Sequence, residues 1–288
     1  MGDIDDILCG SIDMHVHYNP DSLFKRRLDA LQIAKEAREL GLRGVVLKSR
    51  DYSSVALAHI VNQLVPEVST FGSLCLDYET GGLNIFAVEA AAKLGARVVW
   101  MPTFSAANSR SKVASFLGVK LLGEGITILR GDRLVPEVTD ILRIIKDYDM
   151  VLASGHLSPR EIFALVEEAK RVGLSKMIIT HALEVEALEE SLGLEAQQQL
   201  ANEGVFIEHC FFSLMPIGGK LDPNRMIEAI RAVGVEHCIM STDFGQTYQP
   251  PAPEGMRMFI ATMLRCGLTQ ADIELMVKVN PARLLELD

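Results

Sequence analysis

Two histidines separated by one residue, His15 and His17, close the first apolar run of the sequence. In a β-strand, residues i and i+2 point to the same side, so both imidazoles would face one surface. Neutral imidazoles that converge in this way suit a divalent metal such as zinc. A His-x-His pair often occurs by chance, so a metal site needs further ligand residues elsewhere in the chain.

Three further apolar runs also end in a residue that can bind a metal. His156 closes the run VLASGH, His181 closes IITH and Asp243 closes IMSTD. A single buried histidine can be structural, but five ligand-type residues at the ends of four runs are hard to explain as core filling. We therefore expect His15, His17, His156, His181 and Asp243 to meet in one site.

Eight short apolar runs alternate with longer amphipathic stretches. The runs are continuous in hydrophobicity, which is typical of parallel strands buried on both faces. They start near residues 12, 44, 70, 97, 150, 176, 205 and 238, and all but one of the gaps fit a single strand–helix unit. This pattern predicts an α/β protein, a (β/α)8 TIM barrel, which typically takes ~250 residues. An open doubly wound sheet is the alternative. Barrel active sites lie at the carboxyl ends of the strands, where the five residues fall.

The long gap, between the runs at 97 and 150, predicts an insertion after strand 4 over residues 103–133. Within it, GITILRGDRLV is typical of a hairpin that turns at Gly131 and Asp132. Because such loops lie on the catalytic face, we expect a lid or specificity loop, with a merely protective excursion as the alternative. No linker divides the chain, so residues 1–288 are predicted to form a single domain.

Two amphipathic stretches are assigned to helices from their sequences. SLFKRRLDALQIAKEARELG, which begins at Ser22, carries a helical pattern throughout. SPREIFALVEEAKRVG begins with Ser158 as the N-cap, Pro159 at the first helical position and Glu161 completing a capping box, and it ends at Gly173.

The pattern as a whole resembles the amidohydrolase superfamily of metal-dependent barrel enzymes, especially its phosphotriesterase-like and TatD-like branches. The resemblance covers nearly the whole chain, with His-x-His on strand 1, histidines on strands 5 and 6, and aspartate on strand 8. It implies that His15, His17 and Asp243 hold one metal, and that His156 and His181 hold a second or that one of them orients substrate. It also implies that Asp243 accepts the proton of the attacking water.

The sequence departs from that family at strand 4, where binuclear members usually place a bridging carbamylated lysine or a glutamate. The run VVWMPT has neither. Lys48, at the end of strand 2, is the nearest substitute: it could be carbamylated and bridge, bind an acidic group of the substrate, or pair with a barrel carboxylate. One or two ions are therefore expected, zinc first, with manganese, iron or nickel as alternatives.

Three neighbouring residues receive supporting assignments. His209 ends strand 7 and is expected either to face the substrate and ligands or to pack in the core, and Glu208, by alternation, should point outward to the helices. Asp13 is expected to orient a ligating imidazole rather than to bind metal. Four loop cations add positive charge that could attract an anionic substrate: Arg110, Lys112, Lys120 and Lys220.

Composition narrows the function classes. The 28 basic and 38 acidic residues give a net charge of −10, which argues against broad nucleic-acid binding. No apolar run approaches a membrane span, no leader opens the chain and five cysteines lack a CxxC pair, so we expect a cytoplasmic protein. Both a monomer and a homo-oligomer are compatible with the sequence. The leading hypothesis is a metal-dependent hydrolase of a small-molecule amide, cyclic amide, lactone or ester. A phosphoesterase or TatD-like nuclease, a decarboxylase or isomerase, and a catalytically silent metal-binding barrel are the alternatives.

Overall fold

Eight parallel strands form the centre of the computed structural model, which describes residues 4–287. Strand β3 is made of two segments separated by Gly72. The strands are β1 (Ile12–His17), β2 (Gly44–Lys48), β3 (Ser69–Phe71 and Ser73–Cys75), β4 (Val98–Trp100), β5 (Val151–Ala153), β6 (Met177–Ile179), β7 (Phe206–Cys210) and β8 (Cys238–Ser241). Each pairs in parallel with the next along the chain, from β1 to β8.

Backbone hydrogen bonds just beyond β8 complete the ring. The Asp243 N–H donates to the carbonyl of His15 at 2.9 Å, and the His17 N–H donates to the carbonyl of Phe244 at 2.8 Å. At the break in β3, a Cβ on Gly72 would lie 2.4 Å from the Cα of Val55, so this position requires glycine. The predicted (β/α)8 barrel is confirmed.

Helices surround the strands. They are α1 (Ile4–Leu8), α2 (Ala30–Glu39), α3 (Val55–Leu64), α4 (Ile85–Lys93), α5 (Ala107–Leu117), α6 (Pro136–Asp147), α7 (Pro159–Arg171), α8 (Leu194–Asn202), α9 (Pro223–Val233), α10 (Ala252–Arg265), α11 (Gln270–Glu274) and α12 (Asn280–Leu285). The capping box of α7 is confirmed: the Ser158 side chain accepts from the N–H of Glu161, whose own side chain accepts from the N–H of Ser158. The hairpin in residues 103–133 is also confirmed, with Leu129–Arg130 antiparallel to Arg133–Leu134.

The helix predicted to start at Ser22 starts later, so that prediction is wrong for its first part. Helix α2 begins at Ala30, where Asp29 forms a capping box with Gln32. Upstream, the Asp21 carboxylate accepts from the N–H groups of Leu23 and Phe24 and holds a local turn. Further along, the Asn19 side chain accepts from the N–H of Arg26 and donates to its carbonyl, which withholds both backbone groups from a helix. The segment becomes a loop at the carboxyl end of β1.

A layer of side chains fills the barrel beneath the strand ends. It is distinct from the larger core between strands and helices, and it brings Trp100 to 5.8 Å from the ring of His15. The strand residues of this layer are Ile12, Met14, Val46, Cys75, Val98, Trp100, Val151, Ala153, Ile178, Phe206 and Ile239. The packed layer is a solid floor, so chemistry is confined to the carboxyl-terminal face.

Between residues 4 and 287, no helix has the length and apolarity needed to cross a bilayer. The five cysteines are free thiols.

Candidate metal centre

The two histidines of β1 meet the aspartate that follows β8. Oδ1 of Asp243 lies 3.0 Å from Nε2 of His15 and 3.0 Å from Nε2 of His17, and one ligand atom from each residue lies within 4.8 Å of the others. Asp243 has a φ of 55°, a left-handed conformation that is strained for a residue other than glycine. Its N–H bond to the carbonyl of His15 holds that conformation and aims the carboxylate at the imidazoles.

The histidines that follow β5 and β6 form a second pair beside the first. The Nε2 atoms of His156 and His181 lie 2.9 Å apart, and Oγ of Ser109 lies 2.9 Å from Nδ1 of His156. The rings of His15 and His181 stack with centroids 6.0 Å apart. Nδ1 of His181 is buried and has no hydrogen-bond partner among residues 4–287. The structure therefore brings all five sequence-predicted ligands into one cluster.

The ionisation of this cluster suits a cation. Burial lowers the pKa of His17 to about 3, with a contribution from Arg26, and burial lowers the pKa of His181 to about 4. Burial and the neighbouring imidazole of His181 hold the pKa of His156 well below its usual range. These three imidazoles are neutral at pH 7 and offer lone pairs to a metal.

His15 and Asp243 behave as a linked pair. Burial is the largest single effect and opposes protonation of His15, but the carboxylates of Asp243 and Glu208 together outweigh it and raise the pKa of His15. Burial likewise favours the neutral form of Asp243, but His15 and His17 hold the pKa of its carboxyl well below the usual range. Asp243 is therefore ionised, and a proton competes with a cation for His15. The donor set of neutral imidazoles and one carboxylate fits a divalent metal.

Glu208 joins the cluster from β7, so the prediction that it points outward is wrong. Its Oε2 lies 3.2 Å from Nδ1 of His15 and accepts from the backbone N–H of His181 at 3.0 Å. Burial works against its charge, but His15 and His181 lower the pKa of Glu208 to about 2. The carboxylate therefore favours a proton on Nδ1 of His15 and leaves Nε2 of that ring facing His17 and Asp243.

His209 lies on the opposite side of β7, so it does not face the site. Because Glu208 points inward, strand alternation directs His209 toward the surrounding helices. Neither ring nitrogen of His209 has a partner among the described residues, and burial lowers its pKa to about 4. The structure makes His209 a packed, neutral histidine.

Cys210 offers another potential ligand near His15, with Sγ 3.9 Å from Nδ1 of that ring. His15, Glu208 and Cys210 also satisfy the spacing of a metal site. Burial, however, raises the pKa of the Cys210 thiol well above its usual range. A protonated thiol is a poor ligand, so His15, His17 and Asp243 are the better set.

Lys48 lies among the four histidines. Its Nζ is 2.8 Å from Nε2 of His15 and 5.2 Å from the ring centre of Trp100, and its side chain is buried. Besides burial, which has the largest effect, the Lys48 ammonium contributes to a lower pKa at all four imidazoles: His15, His17, His156 and His181. Lys48, at the end of β2, thus contacts the first histidine pair and acts electrostatically on the second.

Asp13 does not contact an imidazole, contrary to expectation. Its Oδ1 accepts from the backbone N–H groups of His15 at 3.2 Å and Thr242 at 3.0 Å, and its Oδ2 accepts from the Thr242 hydroxyl at 2.5 Å. Burial raises the pKa of Asp13 to about 7, although these hydrogen bonds oppose the shift. Asp13 joins β1 to β8 and so sets the backbone positions of His15 and Asp243.

A cavity of about 390 Å³ opens over the cluster, and His17, His156, His181 and Asp243 line its floor. Insertion residues 103–133 supply part of the wall; those lining the cavity are Thr103, Phe104, Lys112, Val113 and Phe116. The lid function stays a prediction.

Only two of the four loop cations expected near the site line the cavity, namely Lys112 and Lys220. Arg110 instead lies over the ring of Tyr78 at 5.2 Å and donates to the carbonyls of Phe104 and Leu122.

Sequence reasoning missed several charged residues of the cavity. Arg26 and Arg50 line it from the loops that follow β1 and β2, and Glu184 lines it from the loop that follows β6. Burial raises the pKa of Glu184 to about 7. Strand-end patterns could not reveal these residues, because all three lie in loops beyond the strands.

Comparisons with solved structures agree on the fold. An amidohydrolase from Pseudomonas aeruginosa superposes with a TM-score of 0.64 at 12% identity, covering 98% of both chains. A phosphotriesterase homology protein from Escherichia coli, solved with phosphate in its active site, gives 0.61 at 14% identity over 95% of this chain and 98% of its own. A mutant of an organophosphorus hydrolase from Deinococcus radiodurans gives 0.60 at 15% identity over 96% and 93%.

These likenesses confirm the resemblance to the amidohydrolase superfamily at the level of the fold. No curated protein matches the sequence. A family model matches residues 10–208, which include four of the five clustered ligand residues but not Asp243. The chain belongs to that family, DUF6282, a family of unknown function.

Proposed function

We propose that this chain is a metal-dependent hydrolase that acts on a small-molecule amide, cyclic amide, lactone or ester. The observation that carries the proposal is the convergence of His15, His17, His156, His181 and Asp243 beneath one cavity. Three of the imidazoles are neutral, and the carboxylate is ionised. A structural barrel core would have no need for this donor set at the open end.

Two adjacent ligand sets support a site for two divalent ions, zinc being the first candidate. His15, His17 and Asp243 would hold one ion, and His156 and His181 the other. Lys48 contacts His15 of the first set and acts electrostatically on both histidines of the second, which supports a bridging role as its carbamate over a simple ion pair. A bound divalent ion would lower the pKa of a water toward ~7 and polarise the substrate's carbonyl oxygen.

The protein's own groups supply the proton transfer and the alignment. Asp243 is ionised and lines the cavity, so it can accept a proton from a water above it. Glu208 fixes the ring of His15 by accepting from Nδ1. Ser109 does the same for His156.

The cavity supports a small substrate. Its volume of about 390 Å³ falls within the ~300–1,000 Å³ of small-molecule sites. A phosphoester is the second candidate, because four cationic side chains besides Lys48 line the cavity and phosphate oxygens would pair with them: Arg26, Arg50, Lys112 and Lys220.

The test combines metal content with turnover. The purified protein is analysed for divalent metals, stripped with a chelator, reloaded with zinc, manganese, iron or nickel, and assayed on lactone, amide and phosphodiester panels. We expect metal to restore turnover, and Asp243→Asn to reduce it by ~10²-fold or more. The matched control is Asp140→Asn, an exposed aspartate on α6. No restoration by any metal, or equal activity of the two variants, would refute the proposal.

A further inference from the structure

Two arginines lie side by side at the edge of the cavity, on either side of one carboxylate. Nε and Nη2 of Arg26 lie 2.8 and 2.7 Å from Oδ2 of Asp21, and Nη2 of Arg50 lies 2.9 Å from Oδ1. Burial opposes the charge of Asp21, but the arginines lower its pKa to about 2. Asp51 lies 4.0 Å from Arg50 and is already bound by the N–H and hydroxyl of Ser22. Asp21 thus fixes both guanidinium groups in place.

The pairing with Asp21 leaves Arg50 incompletely satisfied. Its side chain is 2% exposed, and its Nε has no hydrogen-bond partner among residues 4–287. A buried N–H without an acceptor costs free energy. An oxygen from a ligand, bound directly or through a water, would remove that cost. A purely structural arginine would be expected to use all of its donors.

Aromatic rings surround the arginines and link them to the metal centre. The guanidinium of Arg26 lies 4.9 Å from the ring centre of Phe24, and that of Arg50 lies 4.9 Å from the ring centre of Phe104. Phe104 in turn lies 5.7 Å from the ring of His156. One phenylalanine ring therefore separates the arginine pair from the histidines, a spacing that a single small molecule can bridge.

The charge lining the cavity also favours an anion. Even without Lys48, which would be anionic as a carbamate, four basic side chains line it against three acidic ones, Glu184, Glu186 and Asp243. The carboxylate of Asp243 pairs with His15 and His17, although its charge also acts on Arg26.

We propose that Arg26 and Arg50 form a binding site for an anionic oxygen group, a carboxylate or phosphate, on a substrate with an apolar body. Planar guanidinium groups bind such groups with two parallel hydrogen bonds. Phe24 and Phe104 pack against the adjoining apolar part. This inference rests on the proposed function, since the bound anion would direct a hydrolysable bond toward the histidines and Asp243.

Binding without turnover tests the site separately from the hydrolase proposal. Calorimetry on chelator-treated protein compares benzoate and phenyl phosphate with neutral benzamide, which has a similar shape. We expect at least one anion to bind ~10-fold or more tightly than benzamide, and Arg50→Gln to weaken that anion ~10-fold or more. The matched control, Arg130→Gln on the exposed hairpin, should leave its affinity unchanged.

Equal binding of the anions and benzamide would overturn the inference, as would an anion affinity that falls in Lys48→Gln but not in Arg50→Gln. A crystal of the unaltered protein soaked with 4-bromobenzoate provides a test that does not depend on a variant folding. We expect its carboxylate within hydrogen-bond distance of Arg26 or Arg50. A carboxylate on the histidines or on Lys112 or Lys220 would overturn the inference. If the unaltered protein binds no anion but shows metal-restored turnover, the anion site is refuted and the proposed hydrolase function stands.

Discussion

Replacing Glu208 with glutamine tests whether the Glu208 carboxylate strengthens metal binding by His15. The glutamine can place an oxygen where Oε2 accepts from Nδ1 of His15 and from the N–H of His181, so the shape is kept and the charge is lost. His15 and His181 overcome the effect of burial and lower the pKa of Glu208 from 4.5 to about 2, which corresponds to about 3 kcal/mol. That interaction is reciprocal, so loss of the carboxylate makes His15 a weaker base and a weaker ligand.

We expect Glu208→Gln to weaken zinc binding by ~10–100-fold, the usual range for groups that orient a ligating histidine. Competition with a chromophoric zinc chelator measures the affinity at pH 7. The control is Glu203→Gln, because Glu203 carries the same charge and pairs with Lys170 on the surface. Equal affinities of both variants and the unaltered protein would refute the role assigned to Glu208.

Four further predictions concern single side chains. Burial raises the pKa of Glu184 to about 7, so the folded protein holds its proton more tightly than the unfolded chain does. The free energy of unfolding should therefore fall by about 3 kcal/mol as the pH rises from about 4.5 to 7. In urea unfolding, Glu184→Gln should remove this contribution to the pH dependence. His156→Asn should reduce bound zinc by one ion per chain in elemental analysis; an unchanged count contradicts the second site. Asp77→Ala removes the acceptor of the N–H and hydroxyl of Thr103, so it should lower the free energy of unfolding by about 2–4 kcal/mol, measured by thermal unfolding. If Lys48 bridges as a carbamate, Lys48→Ala should lose turnover and regain part of it with acetate, whereas a failure of rescue contradicts the bridge.

The metal ligands could be predicted because each ends or directly follows an apolar strand. Parallel strands in a barrel present their carboxyl ends on one face, so sequence position alone placed His156 and His181 beside His15 and His17. Asp243 followed from the same rule. The distances between the pairs could not be predicted, because they depend on how far each loop turns back over the barrel.

Glu208 and His209 on β7 show what strand alternation cannot predict. Alternation requires Glu208 and His209 to face opposite sides, but it does not say which of the two faces inward. Analogy with the other strands predicts an outward Glu208 and allows either a site-facing or a packed His209. The structure turns Glu208 inward, because the inward carboxylate gains bonds to His15 and His181.

The arginine pair could not be predicted from the sequence, because the segment that contains Arg26 has a helical pattern. The segment from Ser22 carries basic and apolar residues at helical spacing, yet the Asn19 side chain binds both the N–H and the carbonyl of Arg26. Helix α2 therefore starts only at Ala30, and Arg26 is left on a loop that reaches the cavity. Local side-chain bonds decided the conformation here, and hydrophobic periodicity does not report them.

Anomalous diffraction at the zinc edge, on zinc-loaded crystals of the unaltered protein, tests the metal centre most directly. We expect one anomalous peak within bonding distance of His15, His17 and Asp243, and a second within bonding distance of His156 and His181. The Zn–N distances should be ~2.0–2.1 Å. No peak in the cavity, or zinc only at surface residues, would contradict the proposed metal centre.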